Sequence, residues 1–457
     1  MDKTHSSASS QTVHWAGQTK SALTFFSIGC EKIPPELIHA YGIVKLCAAK
    51  TNQKQGLLDG RRAEAIIQAA TQIIAGELDD QFPLSIWQSG SGTQTNMNIN
   101  EVLASVANSL LKAEYEVHAN DHCNCGQSTN DSFPTALHIA IVLQLQHKLL
   151  PALGDLQTTL SQKASQWRHI IKTGRTHLQD ATPLTLGQEF SGYAAQLAYG
   201  NELIKQCLPA LHELTMGGTA VGTGLNTTPG FAEAFVHHVS ELTQQPFATS
   251  RNCFATQAAH DAVVQLSGSL NTLAVALNKI ANDIRLLASG PRCGLGELKL
   301  PANEPGSSIM PGKVNPSQCE MVAMVCAQVM GNHTTISFAG AQGQLELNTF
   351  KPVMAYNILQ SIRLLADAMA SFERYCIKDI QANEQRINEF MDKSLMLVTA
   401  LTPHIGYDNA AAIANQAHQR NTSLREEVIK SGLLTAEEFD AFVQPEQMLA
   451  PQRKPER

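Results

Sequence analysis

A regular apolar repeat between residues 256 and 289 is the feature that most limits what this chain can fold into. Apolar residues recur there at alternating steps of three and four, at Val263, Leu266, Leu270, Leu273, Leu277, Ile280, Ile284 and Leu287. A seven-residue repeat predicts one long helix with a narrow apolar seam, and the Gly-Pro pair at 290–291 ends it. At ~1.5 Å per residue the seam is about 36 Å long. Such a helix needs partners of similar length.

Other segments with helical apolar spacing supply those partners. They lie at 135–166, 186–215, 316–330 and 354–376. Loops rich in Gly, Thr and Asn connect them, notably at 217–229 and 290–312. The sequence therefore predicts a mainly all-α fold, an elongated bundle whose loops lie far apart within one chain.

The chain changes character toward both ends. Helices are predicted at 35–50, opening at a Pro-Pro pair, and at 60–76, whereas the helices after Asn383 are shorter and more charged. The polar first dozen residues are expected to be disordered. We predict three domains: an N-terminal domain at 1–127, a central helical bundle at 128–383 and a small C-terminal domain at 384–457.

Charged residues are scarce. The 33 basic and 40 acidic side chains make up 16% of the 457 residues, against about 25% in an ordinary soluble domain. The longest interval without one, 321–345, could span a bilayer by length, but its Gln, Asn, His and Thr content argues against a membrane span. We interpret the interval as a buried helix and the charge deficit as surface covered by further copies of the chain.

The net charge, the N-terminal residues and the cysteines argue against several further classes of protein. A net charge of -7 leaves no basic surface for a nucleic acid partner. The first residues lack the apolar core and cleavage site of a secretory signal, so we expect a cytoplasmic protein. The 10 cysteines are scattered and fit reduced thiols. Four possible zinc ligands lie close together in the sequence, at His118, His122, Cys123 and Cys125. Their spacing matches no known zinc finger, so no metal is expected.

Four polar segments stand out from the helical background, at 89–100, 118–135, 174–180 and 304–320. Their donors are mostly hydroxyls and amides, which suit a small anionic ligand. Each also has an ordinary structural interpretation, such as a surface loop, a helix cap, a structural His177 or a solvated Lys313. Periodicity and composition do not decide between these interpretations.

The segment GSSIMPGKVNP at 306–316 resembles the signature of the aspartase/fumarase superfamily, and its continuation to Glu320 is similar to the fumarase branch. The resemblance extends over nearly the whole chain from Trp15 onward, through 87–102, 174–197, 216–227, 282–294 and 394–408. On these residues the chain is identified as a member of the class II fumarate hydratases.

The resemblance implies a homotetramer of three-domain subunits, in which central five-helix bundles associate into a twenty-helix core and each active site draws on three subunits. It implies reversible, cofactor-independent hydration of fumarate to L-malate, a step of the tricarboxylic acid cycle. Two alternatives stay open: an aspartate ammonia-lyase-like enzyme, and a catalytically silent structural protein on the same scaffold, like the crystallins of this superfamily.

The resemblance also assigns residues. Ser307 is the expected base for the carbon-bound proton, and His177, oriented by Glu320, handles the water. The residues expected to bind the substrate carboxylates are Ser91, Gly92, Thr93, Ser128, Thr129, Asn130, Thr176, Ser308, Lys313, Val314 and Asn315. A second anion site is expected at His118, Ala119, Asn120 and Asp121. The family usually has Pro where Ala119 stands, so the fixed φ of that turn is lost.

Overall fold

The structure, a computed structural model, describes residues 12–451. It is mainly α-helical, which confirms the predicted fold class. The expectation of a disordered opening segment falls, except for residue 12, outside the described residues.

Helices account for most of the elements. In chain order they are α1 (Gly17–Phe25), α2 (Pro35–Lys54), α3 (Gly60–Ile74), α4 (Thr93–Leu110), α5 (Thr129–Gln144), α6 (Leu150–Gln166), α7 (Leu186–Leu211), α8 (Phe231–Thr243), α9 (Cys253–Ala258), α10 (Asp261–Leu287), α11 (Ser317–Gly340), α12 (Lys351–Phe372), α13 (Glu384–Lys393), α14 (Thr402–Ile405), α15 (Tyr407–Arg420), α16 (Leu424–Ser431) and α17 (Ala436–Phe442). Single π-helical turns follow α5 and α12, at Leu145–Leu149 and Glu373–Ile377.

Strands are short and occur in pairs. The antiparallel pair β1 (Ile171–Thr176) and β2 (Gln179–Thr185) forms a hairpin. The other pairs are β3 (Glu213–Leu214) with β4 (Ala248–Thr249), which is parallel, and β5 (Leu298–Lys299) with β6 (Gln381–Ala382), which is antiparallel.

The seven-residue repeat forms α10, and all eight of its seam residues are at most 6% exposed. The predicted start at residue 256 is wrong, because the chain is extended at Ala259 (φ -134°, ψ 164°) and α9 ends before it. This break turns His260 inward, where its ring contacts the buried Lys351. The long helix therefore begins at Asp261, directly after the inward-facing His260.

Capping residues open the helices near both ends of the chain. Pro35 opens α2, and the Asp59 side chain accepts hydrogen bonds from two main-chain N–H groups at the start of α3. Capping boxes at Ser423 and Thr435 open α16 and α17.

The chain divides into two compact units. The first unit comprises Met1–Pro151, Gly200–Ala274 and Cys326–Ala366, and the second comprises Ala152–Tyr199, Val275–Val325 and Asp367–Arg457. In the first unit α2 packs against α3, α5 and α8. In the second, the last helices enclose an apolar cluster of their own, which includes Leu401, Ile413 and Val428. The division into three domains remains a prediction.

Two further properties bear on function. Of the helices described, the continuous α5–α6 segment Thr129–Gln166 is the one long and apolar enough to cross a membrane, and most of its apolar window is buried inside the protein. Within residues 12–451, no three His, Cys, Asp or Glu side chains are grouped as metal ligands would be.

Candidate active site

The first unit places two hydroxyl-rich turns at the N-termini of α4 and α5. At the first turn Ser91 is buried, and its Oγ lies 2.7 Å from Oγ1 of Thr93. Gly92 adopts a left-handed φ of 81°, and a Cβ there would lie 2.2 Å from the ring of Phe133 in α5. Only glycine therefore lets this turn pack against the neighbouring helix.

The second turn begins with Ser128, which forms a capping box with Asp131. Its Oγ accepts a hydrogen bond from the Asn130 main-chain N at 3.2 Å. Thr129 is buried, and Asn96 of α4 donates to its Oγ1 at 3.1 Å, so the two turns are joined. A helix N-terminus carries partial positive charge and free N–H groups. Two such ends with hydroxyls beside them suit a carboxylate ligand.

The second unit holds the signature loop 304–316, which orients the hydroxyl of Ser307. Ser307 Oγ accepts hydrogen bonds from the main-chain N of Ile309 at 3.2 Å and of Met310 at 3.0 Å. The loop closes on itself, since Gly306 N donates to Lys313 O at 3.1 Å. A Cβ at Gly306 would lie 2.1 Å from that carbonyl oxygen, so a larger residue would open the loop.

The remaining predicted binding residues of this loop are largely accessible. Ser308 and Lys313 are exposed and Val314 is 48% exposed. The Asn315 side-chain amide donates to Gly306 O, which fixes the C-terminal part of the loop. In the described chain no carboxylate pairs with Lys313, so its ammonium group is free to meet an anion.

His177 lies in the turn of the β1–β2 hairpin, directly after the exposed Thr176. Both turn residues have left-handed backbone, with φ of 56° at His177 and 61° at Leu178. Two-residue turns of this kind usually take Asn-Gly, and strain in non-glycine residues concentrates at functional sites. The hairpin presents an exposed imidazole at its tip.

Buried charges hold the base of this hairpin. Lys172 Nζ lies 3.1 Å from Glu189 Oε1 and 3.0 Å from Glu297 Oε2, and Arg175 Nη1 lies 2.6 Å from Glu297 Oε1. Glu297 is 0% and Lys172 1% exposed. Burial raises the pKa of Glu189, and the adjacent Lys172 partly offsets this rise. The cluster ties strand β1 of the hairpin to α7 and to the segment before β5.

Glu320 lies exposed in the first turn of α11, where the helix dipole stabilises a carboxylate. Within the described chain no hydrogen bond or ion pair joins it to His177. A single chain therefore does not form the predicted histidine–carboxylate pair.

The expected second anion site forms a turn even with Ala119 in place of proline. His118 Nδ1 lies 3.0 Å from Asp121 Oδ2, and Nδ1 of His122 accepts from the main-chain N of His118 at 2.8 Å. Burial lowers the pKa of the His122 imidazole. His118 and Asp121 are exposed, so the turn is accessible.

The predicted residues fall into two groups. The first unit contains Ser91, Gly92, Thr93, Ser128, Thr129 and Asn130, together with the turn at 118–121. The second contains Thr176, His177, Ser307, Ser308, Lys313, Val314, Asn315 and Glu320. Three further charged residues, Asp131, Lys351 and Glu297, are buried next to these segments and were not among the predicted site residues. The one feature of the sequence that could have indicated them is a charged residue within a stretch of mostly apolar or small residues.

Comparison with known proteins identifies the family of this chain. Residues 8–331 match the family described as Lyase, and residues 397–450 match the family described as Fumarase C C-terminus. The Bradyrhizobium diazoefficiens protein Fumarate hydratase class II 2 is 57% identical over 442 residues, or 96% of this chain and 93% of that protein. The chain belongs to the class II fumarate hydratase family.

Other members show the same extent of similarity. Fumarate hydratase class II of Methylorubrum extorquens is 58% identical over 442 residues, or 96% of this chain and 94% of that protein. The crystal structure of class II fumarase from Schistosoma mansoni has a TM-score of 0.94 at 46% identity, covering 97% of each chain. As a class II fumarate hydratase family member, the chain is an enzyme of the hydro-lyase class. The predicted family is confirmed.

Proposed function

We propose that this chain catalyses the reversible hydration of fumarate to L-malate without a cofactor. Family membership supports the reaction, and one observation in the chain itself carries it: two main-chain N–H groups donate to the hydroxyl oxygen of Ser307. Donors aimed at an oxygen stabilise its anionic form over its neutral form. A serine is otherwise far too weak a base to remove a proton from carbon.

Ser307 takes the proton from C3 of L-malate in the dehydration direction. The electron pair left on C3 is delocalised into the adjacent carboxylate, giving a dianionic aci-carboxylate. Lys313 and Asn315, on the same loop, supply a positive charge and an amide to that developing charge. Loss of hydroxide from C2 then forms the double bond of fumarate.

His177 acts on the opposite side of the substrate, where the hydroxyl group leaves as water. It donates a proton in this direction and removes one from water in the reverse direction. Glu320 orients and polarises the imidazole. Since the two side chains do not meet within one chain, this pairing requires Glu320 from another copy.

The substrate carboxylates are bound by hydroxyl and amide groups rather than by a set of full positive charges. Ser91 and Thr93 lie at the start of α4 and Ser128, Thr129 and Asn130 at the start of α5, with Thr176 and Ser308 from the second unit. Hydrogen bonds to a charged acceptor contribute roughly 1.5–3 kcal/mol each. Such a site discriminates a dicarboxylate from a monocarboxylate by leaving donors unpaired.

We propose that the active form is a cytoplasmic homotetramer whose sites each draw on three chains. Support comes from the exposure of His177 and Glu320 and from α11, which has no charged residue after Glu320 and in which Met324 is 68% and Phe338 65% exposed. Exposed apolar residues on one long helix indicate an interaction surface. In this arrangement α11 lies in the twenty-helix core.

The test follows the ultraviolet absorbance of fumarate in buffer, with and without ammonium. Purified protein should consume fumarate in plain buffer at a rate that ammonium does not change. Consumption only with ammonium would identify an aspartate ammonia-lyase. No consumption in either buffer would identify a silent protein on this scaffold and reject the proposal.

A further inference from the structure

Asp131, in the first turn of α5, hydrogen-bonds two separate segments of the first unit. Its side chain is 0% exposed. Oδ1 accepts from Ser128 N at 2.9 Å, and Oδ2 accepts from Gly217 N at 3.1 Å and Thr219 N at 2.9 Å. The Asn130 side chain adds a second link between the segments by donating to Ala220 O at 2.7 Å. One carboxylate thus fixes residues 128–130 relative to residues 217–220.

Residues 217–220 are themselves held in a strained conformation. Thr219 is a non-glycine residue with φ of 54°. Gln257 Nε2 donates to Thr219 O at 2.6 Å, and a Cβ at Gly218 would lie 2.2 Å from Gln257 Oε1. A left-handed residue costs about 1–3 kcal/mol and persists only where its surroundings impose it. Asp131 and Gln257 supply that constraint from two sides.

Lys351 continues the chain of contacts from Gln257 to the turn at 90–93. Its Nζ donates to Gln257 O at 3.0 Å and lies 2.9 Å from His260 Nε2. Its main-chain N donates to Gly90 O at 2.9 Å. A Cβ at Gly90 would lie 1.4 Å from Thr349 O, so the two backbones are in direct contact. Lys351 is 0% exposed, and its ammonium group has no surface role.

We infer that Asp131, Gln257 and Lys351 form one buried relay that sets the relative positions of residues 90–93, 128–130 and 217–220, and thereby the affinity for a dicarboxylate. We name it the loop relay. The inference rests on the proposed function, because two of these segments carry the proposed carboxylate-binding groups. Asp131 and Lys351 act here as positioning residues, through the main chain of the segments they hold.

The test compares Asp131→Asn and Lys351→Met with the wild-type chain. Asparagine keeps the shape of Asp131 but turns an NH2 donor toward a main-chain N–H, and methionine keeps the stem of Lys351 without its donors. We expect KM for L-malate, and Kd for the unreactive dicarboxylate succinate, to rise roughly tenfold to a hundredfold. kcat should change by less than about threefold, as for groups that act on binding alone.

Glu427→Gln is the matched control. Glu427 is also a buried carboxylate, 1% exposed, which accepts hydrogen bonds from Arg420 and Thr422 in the second unit. It should lower Tm and leave KM unchanged. A merely structural role for Asp131 or Lys351 would give that same pattern, namely fewer active molecules with normal KM, and would overturn the inference.

The double variant tests whether the two residues act together. If they belong to one relay, the rise in KM for Asp131→Asn with Lys351→Met should be smaller than the product of the two single rises. Independent, multiplicative effects would refute the relay. Should Asp131→Asn not fold, Gln257→Leu replaces it in the cycle, because it removes the donor to Thr219.

Calorimetric titration with succinate separates this inference from the proposed function. Wild-type chain that binds succinate but does not hydrate fumarate would reject the proposed function and leave the relay testable. If wild type hydrates fumarate and the variants bind succinate as tightly as wild type does, the relay alone is rejected.

Discussion

Ser307 differs from its neighbour Ser308 in what the loop does to its oxygen. Two N–H groups point at Ser307 Oγ, whereas Ser308 is exposed. The family resemblance already predicts different roles for Ser307 and Ser308, but the motif does not give the geometry, because that depends on the path of the backbone between Gly306 and Lys313. The two N–H groups give a physical reason why the Ser307 hydroxyl, which is a very weak acid, could lose its proton and act as a base.

Ser307→Ala should lower kcat about 10²- to 10⁴-fold, the usual contribution of a general base, without changing the assembly. Steady-state kinetics and sedimentation velocity on the same sample measure both quantities. Ser431→Ala is the control, since Ser431 Oγ also accepts a main-chain N–H, from Leu433, but in a remote turn. Loss of assembly in Ser307→Ala, or unchanged kcat, would make Ser307 a structural residue.

Lys351 gives a second prediction at this scale, because burial lowers its pKa to about 7. In the unfolded chain Lys351 has its ordinary pKa, near 10.5. Between pH 7 and 10.5 the unfolded chain therefore binds more protons than the folded chain. The free energy of unfolding should therefore rise with pH across this window. Burial also lowers the pKa of His260 and His138, the titratable groups that face Lys351, so they stay neutral there.

Thermal unfolding at pH 7, 8 and 9 measures this dependence. Lys351→Met should show a smaller rise in Tm than wild type, while the buried Lys45, whose pKa burial also lowers to about 7, contributes equally to both proteins. Identical pH dependence in the two proteins would mean that Lys351 keeps its proton when folded.

At the scale of elements, helices were predictable and the hairpin was not. The apolar seam of α10 and the Pro-Pro opening of α2 are local signals, and the structure confirms them. The β1–β2 hairpin has a glycine inside a strand and His-Leu in its turn, so it lacks the usual alternation and turn residues. Its strand β1 pairs instead with the buried Glu297, more than 100 residues away along the chain, and no local pattern reveals this contact.

Glu297→Gln tests that anchor. It leaves Lys172 and Arg175 with one buried countercharge fewer, so the free energy of unfolding should fall by about 3–5 kcal/mol. Adding Lys172→Met should recover part of the loss, because it removes the charge left without a partner. Thermal unfolding of the single and double variants measures the difference.

The control for this experiment is Glu389→Gln. Glu389 is 41% exposed and pairs with Arg386 in the same unit, so its loss should change stability far less than the loss of Glu297. A double variant that is destabilised by the sum of its two single effects would show that the hairpin anchor is not a coupled charge cluster.

At the scale of the whole molecule, the longest stretch without charged residues lies largely in α11. The 321–345 interval begins just after Glu320 and runs through most of that helix. Composition alone predicts that some surface is covered, and the structure adds that the exposed apolar residues Met324 and Phe338 lie on α11 within this interval. It does not predict how copies are arranged, because that depends on the shape of several helices at once.

Met324→Lys should weaken association and lower activity together, because it places a charge on this uncharged face. Sedimentation velocity run beside the fumarate assay would show the smaller species and the lost rate. Leu433→Lys, at a 40% exposed leucine between the more charged helices α16 and α17, should change neither. Fully active monomers of either protein would contradict an active site shared between chains.

Leu178 at the hairpin tip is unfavourable in a single chain for two reasons. It combines a left-handed φ of 61° with 73% exposure of an apolar side chain, so in a free subunit both backbone and hydration disfavour it. Glycine would relieve both penalties with one change. In the proposed assembly, a surface of another copy that covers Leu178 would offset both penalties.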